Sequence, residues 1–259
     1  MRDAVVDRPD SGRHRGDRVV TDVRPMGAPV SGRPTSSLDQ ALRYAPVLRF
    51  LRSHRPSHIL EVGSGSSGLA AWWQGPVVGV DLRFDGESMP NLVTVEASAT
   101  ALPFPDRSFD AVVCTDVLEH LSADVRADAF AEMLRVSSGV VWVAFPSGPD
   151  ALRADRAVGG LCRILRREPP GWLEDHREFG LPERSDARAW PSPGFVRADR
   201  LYLAWWVHLL SVVAGALPGA GAIGRIGHCD RVCRYLGALP GSGYRFEMWL
   251  ERIAPGTVA

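Results

Sequence analysis

The sequence predicts an α/β fold: a doubly wound, mostly parallel sheet with a helical cap inserted after the fifth strand and between the last two strands. Three observations predict it. Between residues 59 and 146, short Val-rich runs that are apolar on both faces alternate with other segments, the pattern of a parallel sheet covered by helices on both sides. A glycine-rich turn, "GSGSSG" at 63–68, ends the first such run, and ligands of doubly wound sheets sit at the carboxyl ends of the strands. Beyond Pro146 the composition changes to helical stretches and turns before two last strand candidates.

Residues 1–37 mix Arg, Asp, Pro and Gly without apolar periodicity, so they bury too little apolar surface to offset their ordering entropy and are expected to be disordered. In "LDQALRYAPVLRFL", Leu38, Leu42, Ala45, Leu48 and Leu51 fall near helical spacing, which predicts an amphipathic helix closed by Pro56. Then follow "HILEVG" as strand, "GLAAWW" as helix, "VVGVDL", "LVTVEA" and "FDAVVCT" as strands, "ADAFAEMLRV" as helix and "GVVWVAFP" as strand. A helical stretch near residues 151–167, a turn-rich segment at 167–194 and the strand "GFVRAD" come next. An apolar run and a final strand, "YRFEMWLERI", complete the chain. The expected organisation is a core at 38–147, a substrate-binding cap at 148–241 and a strand at 242–254 that completes the core sheet.

Composition excludes several functions. A chain of 259 residues is long enough for a substantial core. Thirty basic residues balance thirty acidic ones, which disfavours a nucleic-acid partner. No lysine is present, so Schiff-base lysine catalysis is excluded. Four cysteines, Cys114, Cys162, Cys229 and Cys233, give no disulfide framework, and no basic-then-apolar leader pattern opens the chain; a reduced, cytoplasmic setting is expected. The cluster "HCDRVC" offers His228, Cys229 and Cys233 without a fourth ligand nearby, so no metal is expected. The run at 201–224 carries no charge. His208, Ser211, Pro218 and its glycine-rich second half argue for a buried cap helix, with membrane contact a lesser alternative.

The chemistry-bearing stretch is "ILEVGSGSSGLA". Read as G-x-G-x-x-G through Gly63, Gly65 and Gly68 it suggests a dinucleotide; read as E-x-G-x-G through Glu61, Gly63 and Gly65 it suggests S-adenosylmethionine. Glu61 can meet a cationic ligand group, which a pyrophosphate does not offer. Asp81, closing the next strand, can accept hydrogen bonds from two ribose hydroxyls, as either ligand requires. The distinctive stretch lies further on, in "ALPFPDRSFD" and "DVLEH". With the glycine loop and the strand-terminal Asp, this order resembles the type 11 group of class I S-adenosylmethionine-dependent methyltransferases, over about ninety residues at 57–146.

The resemblance implies a Rossmann-like fold and S-adenosylmethionine as cofactor. It implies that Glu61, Gly63, Ser64 and Gly65 cradle the methionine part, that Asp81 and Leu82 bind the ribose, and that Ser98 and Ala99 border the adenine. Thr115 and Asp116 would line the methyl-donor pocket. The chain departs from the pattern at Ser67, which precedes the third glycine, at Ser98, where an Asp is usual, and after Asp81, where the segment is too short for the usual helix. In "WLEDHREFGLP", Trp172, Glu174, Asp175, His176, Glu178 and Phe179 gather a histidine among carboxylates and aromatics. His176 is the candidate general base for a hydroxyl acceptor, the alternative being a structural histidine. Some bacterial methyltransferases of the resembled group that act in glycan or envelope-polymer assembly have a similar segment. His120 of "DVLEH" reads as structural, opening a helix. The expected function is O-methylation of a small-molecule or glycan-like acceptor. The alternatives are a binding module without turnover and a nicotinamide-dependent oxidoreductase.

Overall fold

A computed structural model of the chain, which describes residues 37–215, 230–241 and 243–254, brings seven strands into one sheet. These are β1 (Ile59–Val62), β2 (Val77–Asp81), β3 (Leu92–Glu96), β4 (Phe109–Thr115), β5 (Ser137–Pro146), β6 (Phe195–Tyr202) and β7 (Arg245–Arg252). Their order is β3-β2-β1-β4-β5-β7-β6. All pairs from β3 through β5 are parallel, and β7 runs antiparallel to both β5 and β6. The order reverses between β1 and β4, which opens a crevice at their carboxyl ends. The sheet is thus α/β and mostly parallel, as the alternating apolar runs predict.

Helix α1 (Leu38–His54) starts at a reciprocal cap: Gln40 N–H donates to Ser37 Oγ and Ser37 N–H donates to Gln40 Oε1. One face packs Tyr44, Val47, Leu48 and Leu51 on Ile59, Val77, Ala111 and Val113 of the sheet. Helix α2 (Arg126–Val136) covers the other face, where Phe130 and Met133 meet Leu60, Val112 and Cys114. Successive β4 residues therefore enter opposite layers, which is why the strand is apolar from Ala111 to Cys114. Each fully buried leucine, such as Leu42 or Leu51, contributes about 1.5–3 kcal/mol.

The second apolar face of α1, with Ala41, Leu42 and Ala45, is covered by Tyr202, Leu203, Ala204, Val207 and Cys233. Val207 belongs to α6 (Trp205–Gly215) and Cys233 to α7 (Asp230–Gly237). His208 of α6 is buried and bonded through Nδ1 to Asp39 of α1 at 3.0 Å. The apolar run at 201–224 is thus divided: its first residues finish β6, α6 follows, and the rest lies outside the described residues, as do residues 1–36, His228 and Cys229. Among the described residues no helix is long and apolar enough to cross a membrane.

Two local expectations are corrected. "GLAAWW" forms only a three-residue 3-10 turn, Leu69–Ala71. The Asn91 side-chain amide donates to the carbonyls of Ala70, Trp73 and Gly75, at 3.2, 2.9 and 3.0 Å, so these acceptors are satisfied without a helix. The turn-rich segment at 167–194, after α3 (Gly148–Ile164), contains two helices, α4 (Gly171–Phe179) and α5 (Arg184–Ala189). Its prolines fall at helix boundaries, with Pro170 in extended conformation before α4 and Gly180 at φ 70° after it.

Candidate active site

A cavity of about 270 Å³ opens at the carboxyl ends of β1, β2 and β4. It is lined by Gly63 after β1, Asp81 and Leu82 after β2, Ser98 and Ala99 after β3, and Asp116, Val117 and His120 after β4. Six of the residues singled out from sequence meet there: Gly63, Asp81, Leu82, Ser98, Ala99 and Asp116. Glu61, Ser64, Gly65, Thr115 and His176 are not part of its lining.

Glu61 lies behind the cavity, contrary to its expected contact with a cationic ligand group. It is fully buried, and its carboxylate accepts from Tyr44 Oη at 2.8 Å and from Leu69 N–H at 2.6 Å. It therefore fastens the turn that follows β1 to α1. A Cβ at Gly68 would lie 2.2 Å from Glu61 Oε2, and Gly68 has φ 37°, so this third glycine makes room for the acid. The N–H groups of this loop are likewise used internally. Those of Gly63 and Ser64 donate to Val80 O at 2.7 and 3.2 Å, and that of Gly65 donates to Asp81 Oδ2 at 2.9 Å. Ser64 is buried, its Oγ donating to Gly65 O, and Thr115 is buried at the end of β4.

Burial pushes the Glu61 carboxyl up to about 7, even though Leu69 N–H and Tyr44 Oη favour the anion. The folded value exceeds the ordinary 4.5, so the folded state binds this proton more tightly than the unfolded chain. The resulting stability is complete below about pH 4.5 and is lost as pH rises through about 7. Glu61→Gln removes this dependence. The stability of the native chain relative to this variant is expected to fall by up to about 3 kcal/mol between pH 5 and pH 8, measured by urea unfolding. Parallel pH curves for the two proteins would contradict it.

Asp81 presents its carboxylate to the cavity in a fixed orientation, since Gly65 N–H holds Oδ2 and Leu82 N–H holds Oδ1 at 2.8 Å. Each oxygen keeps a lone pair for a hydroxyl. Ser98 Oγ accepts from Thr100 N–H and shares a hydrogen with Thr100 Oγ1 at 2.8 Å. The neighbouring apolar wall consists of Ala97, Ala99, Val117 and Leu121.

Asp116 anchors a buried ion network. It sits at φ 55°, a left-handed conformation that Asp tolerates. Arg245 of β7 grips it with both terminal nitrogens, and Arg43 Nε of α1 lies 2.8 Å from Oδ2. Arg43 also reaches Asp39, which His208 and Ser211 bond from α6. Burial alone would raise the Asp116 carboxyl, but Arg245 and Arg43 outweigh it and hold the group below its ordinary value. Sequence reading missed both arginines, which lie 73 and 129 positions from Asp116 in a chain with thirty basic residues.

His176 is buried in α4, its Nδ1 3.0 Å from Asp155 Oδ2 of α3, with Trp172 packed on its ring. His120 ends a 3-10 turn, Leu118–His120, rather than opening a helix; its ring lines the cavity and its Nδ1 is 2.8 Å from Asp175 Oδ2. The two imidazole centroids are 5.7 Å apart. Arg126 brings them together: its Nε donates to the carbonyls of Leu118 and Leu121, and its Nη2 donates to those of Phe179 and Gly180 at the end of α4. Beside them Glu119 is 1% exposed, and burial, reinforced by the charge of Asp116, pushes its carboxyl well above the ordinary range.

Residues 60–143 match the family model described as a methyltransferase domain, type 11. No curated protein matches the chain by sequence. Among solved structures, the plantazolicin methyltransferase BpumL in complex with SAH is 9% identical with TM-score 0.51, covering 84% of this chain and 85% of that one. Magnesium protoporphyrin IX methyltransferase from Synechocystis PCC 6803, with bound SAH, is 14% identical with TM-score 0.48, covering 83% and 84%. The chain thus has a Rossmann-like fold and carries, at residues 60–143, a class I S-adenosylmethionine-dependent methyltransferase domain. Its domain at 60–143 belongs to the type 11 methyltransferase family, and its cofactor is S-adenosylmethionine, which removes the nicotinamide reading. The cavity's donor set fits that cofactor: a carboxylate with two free lone pairs beside a small apolar wall, and a second acid at the far end.

Proposed function

We propose that the protein O-methylates a small-molecule or glycan-like hydroxyl acceptor, held between the core at 38–147 and a helical cap at 148–241, with the strand at 242–254 closing the sheet. The observation that carries this reading is His120 in the wall of the cofactor cavity with His176 packed beside it, each ring held by its own carboxylate. An alcohol loses a proton when it is methylated, whereas an amine or a thiolate needs no such help.

When bound, S-adenosylmethionine supplies the methyl carbon as an electrophile on a sulfonium. Asp81 receives the ribose hydroxyls, with Leu82 beside it. Ser98 and Ala99 border the adenine. Gly63 leaves the approach clear, while Glu61, Ser64 and Gly65 hold the loop in shape, and Thr115 and Asp116 bound the methyl-donor side. Holding the acceptor oxygen in line with the methyl group and excluding water supplies about 7–11 kcal/mol through positioning. The acceptor's O–H proton passes to His176 as the O–CH3 bond forms and the S–CH3 bond breaks. A carboxylate only accepts, so Asp155 fixes His176 as the Nδ1–H tautomer and leaves Nε2 as the base. The buried thiols Cys114 and Cys233 are in keeping with a reduced, cytoplasmic setting.

Calorimetry with S-adenosylmethionine and S-adenosylhomocysteine, followed by methyl release over hydroxyl, amine and thiol acceptors, tests the proposal. Transfer confined to hydroxyl acceptors is expected. Transfer to amines, or binding with no transfer at all, would sink it. His176→Asn should lower turnover by about 10²-fold or more. Cofactor affinity should not change, because His176 is outside the cavity lining.

A further inference from the structure

We infer that Glu119, His120 and His176 form a binding site for one divalent transition-metal cation of the zinc, manganese or cobalt type, set in the wall of the cofactor cavity. The sequence expectation of no metal rested on the spacing in "HCDRVC"; Glu119 and His120 lie 57 and 56 positions from His176. In the folded chain, one donor atom from each lies within 4.8 Å of the other two. Tetrahedral zinc with bonds of about 2.1 Å keeps its donors about 3.4 Å apart, a difference that small side-chain rotations cover.

Three features distinguish this cluster from an accidental gathering of polar groups. Both histidines are held through Nδ1 by separate carboxylates, His120 by Asp175 and His176 by Asp155. That arrangement fixes the Nδ1–H tautomer and leaves a lone pair on each Nε2, as metal-bound histidines require. Glu119 Oε2 is buried without a hydrogen-bond partner, in a residue 1% exposed. An unpartnered carboxylate oxygen there is costly, and a bound cation would satisfy it. Finally, the cluster is braced from both sides, since Arg126 ties the loop carrying Glu119 and His120 to the end of the helix carrying His176.

The donor set decides the class of ion. Two imidazoles and one carboxylate suit zinc, manganese or cobalt, whereas magnesium and calcium prefer oxygen ligands throughout. Three protein ligands leave a coordination position open. His120 belongs to both the cluster and the cavity lining, so that position can open toward the cavity. This deepens the hydroxyl reading, on which the role of the cation rests: a cation held there would bind the acceptor oxygen and acidify its O–H, whose proton would leave to solvent. With the cation bound, His176 Nε2 would be a ligand and solvent would take the proton; His176 acts as the base only in the metal-free site.

Titrating the chelator-treated full-length protein with Zn²⁺ or Mn²⁺ alone, by calorimetry, tests the site without turnover. One equivalent per chain is expected. Affinity should fall at least 100-fold in Glu119→Gln and in His176→Asn, and about 10- to 100-fold in Asp155→Asn, which removes only the supporting carboxylate. Co²⁺ should give a visible absorption band that these variants lose. S-adenosylhomocysteine affinity serves as the folding control, and if Glu119→Gln fails it, Asp155→Asn and Asp175→Asn carry the test. No stoichiometric binding, or binding that these substitutions leave unchanged, overturns the site. Hydroxyl methylation that continues at full rate after chelation overturns the role of the cation and leaves the hydroxyl reading standing. Metal binding without hydroxyl methylation would do the reverse.

Discussion

Replacing Gly63 by valine is expected to weaken S-adenosylhomocysteine binding by at least 100-fold. Gly63 has φ 75°, and a Cβ there would lie 2.0 Å from Val117 Cγ2. Both residues line the cavity, so even the first carbon of a side chain forces Val117 into the space the ligand needs. The left-handed backbone adds strain of about 1–3 kcal/mol for a β-branched residue. Calorimetry measures the binding loss and urea unfolding the strain. Gly63→Ala combined with Val117→Ala removes most of the clash and should regain part of the affinity. An affinity for Gly63→Val within threefold of the native value would show that this turn does not shape the cofactor site.

Arg245→Met is expected to cost about 3–5 kcal/mol of stability, because it strips the largely buried Asp116 of its two-pronged partner and leaves only Arg43 to balance the charge. The loss should appear in chemical denaturation at neutral pH. Adding Asp116→Asn, which keeps the size and tolerates the left-handed backbone, removes the uncompensated charge and should recover part of the loss. The reason is that removing one member of a buried pair costs far more than removing both. A single substitution costing under about 1 kcal/mol would show that the network is solvated and contributes little to stability. Because Asp116 lines the cavity, the same network joins α1, β4, β7 and α6 beside it.

Where the sequence alone was legible, the signal was local. Runs such as "AVVC" in β4 are apolar at every position because helices cover both faces, and that is visible without knowing which helices they are. The strands, the capped α1, the absence of a helix after β2 and the final strand β7 follow from such runs and from turn residues. "GLAAWW" misled because its helical spacing competes with Asn91, whose three hydrogen bonds come from the far side of β2. The segment at 167–194 misled because prolines counted as turn residues in the sequence stand at the ends of α4 and α5.

The sequence by itself determined the α/β sheet, the family and the cofactor, because each rests on short motifs whose residues are neighbours in the chain. It also located Gly63, Asp81, Leu82, Ser98, Ala99 and Asp116, since loops after consecutive parallel strands converge on one end of the sheet. Only the tertiary structure decided that Glu61 braces the loop from behind, that Arg43 and Arg245 neutralise Asp116, and that His176 packs beside His120 of the cavity wall. The physical reason is reach: a hydrogen bond or ion pair acts over about 3 Å. Which distant side chains come that close is set by how helices pack on the sheet, not by any spacing along the chain.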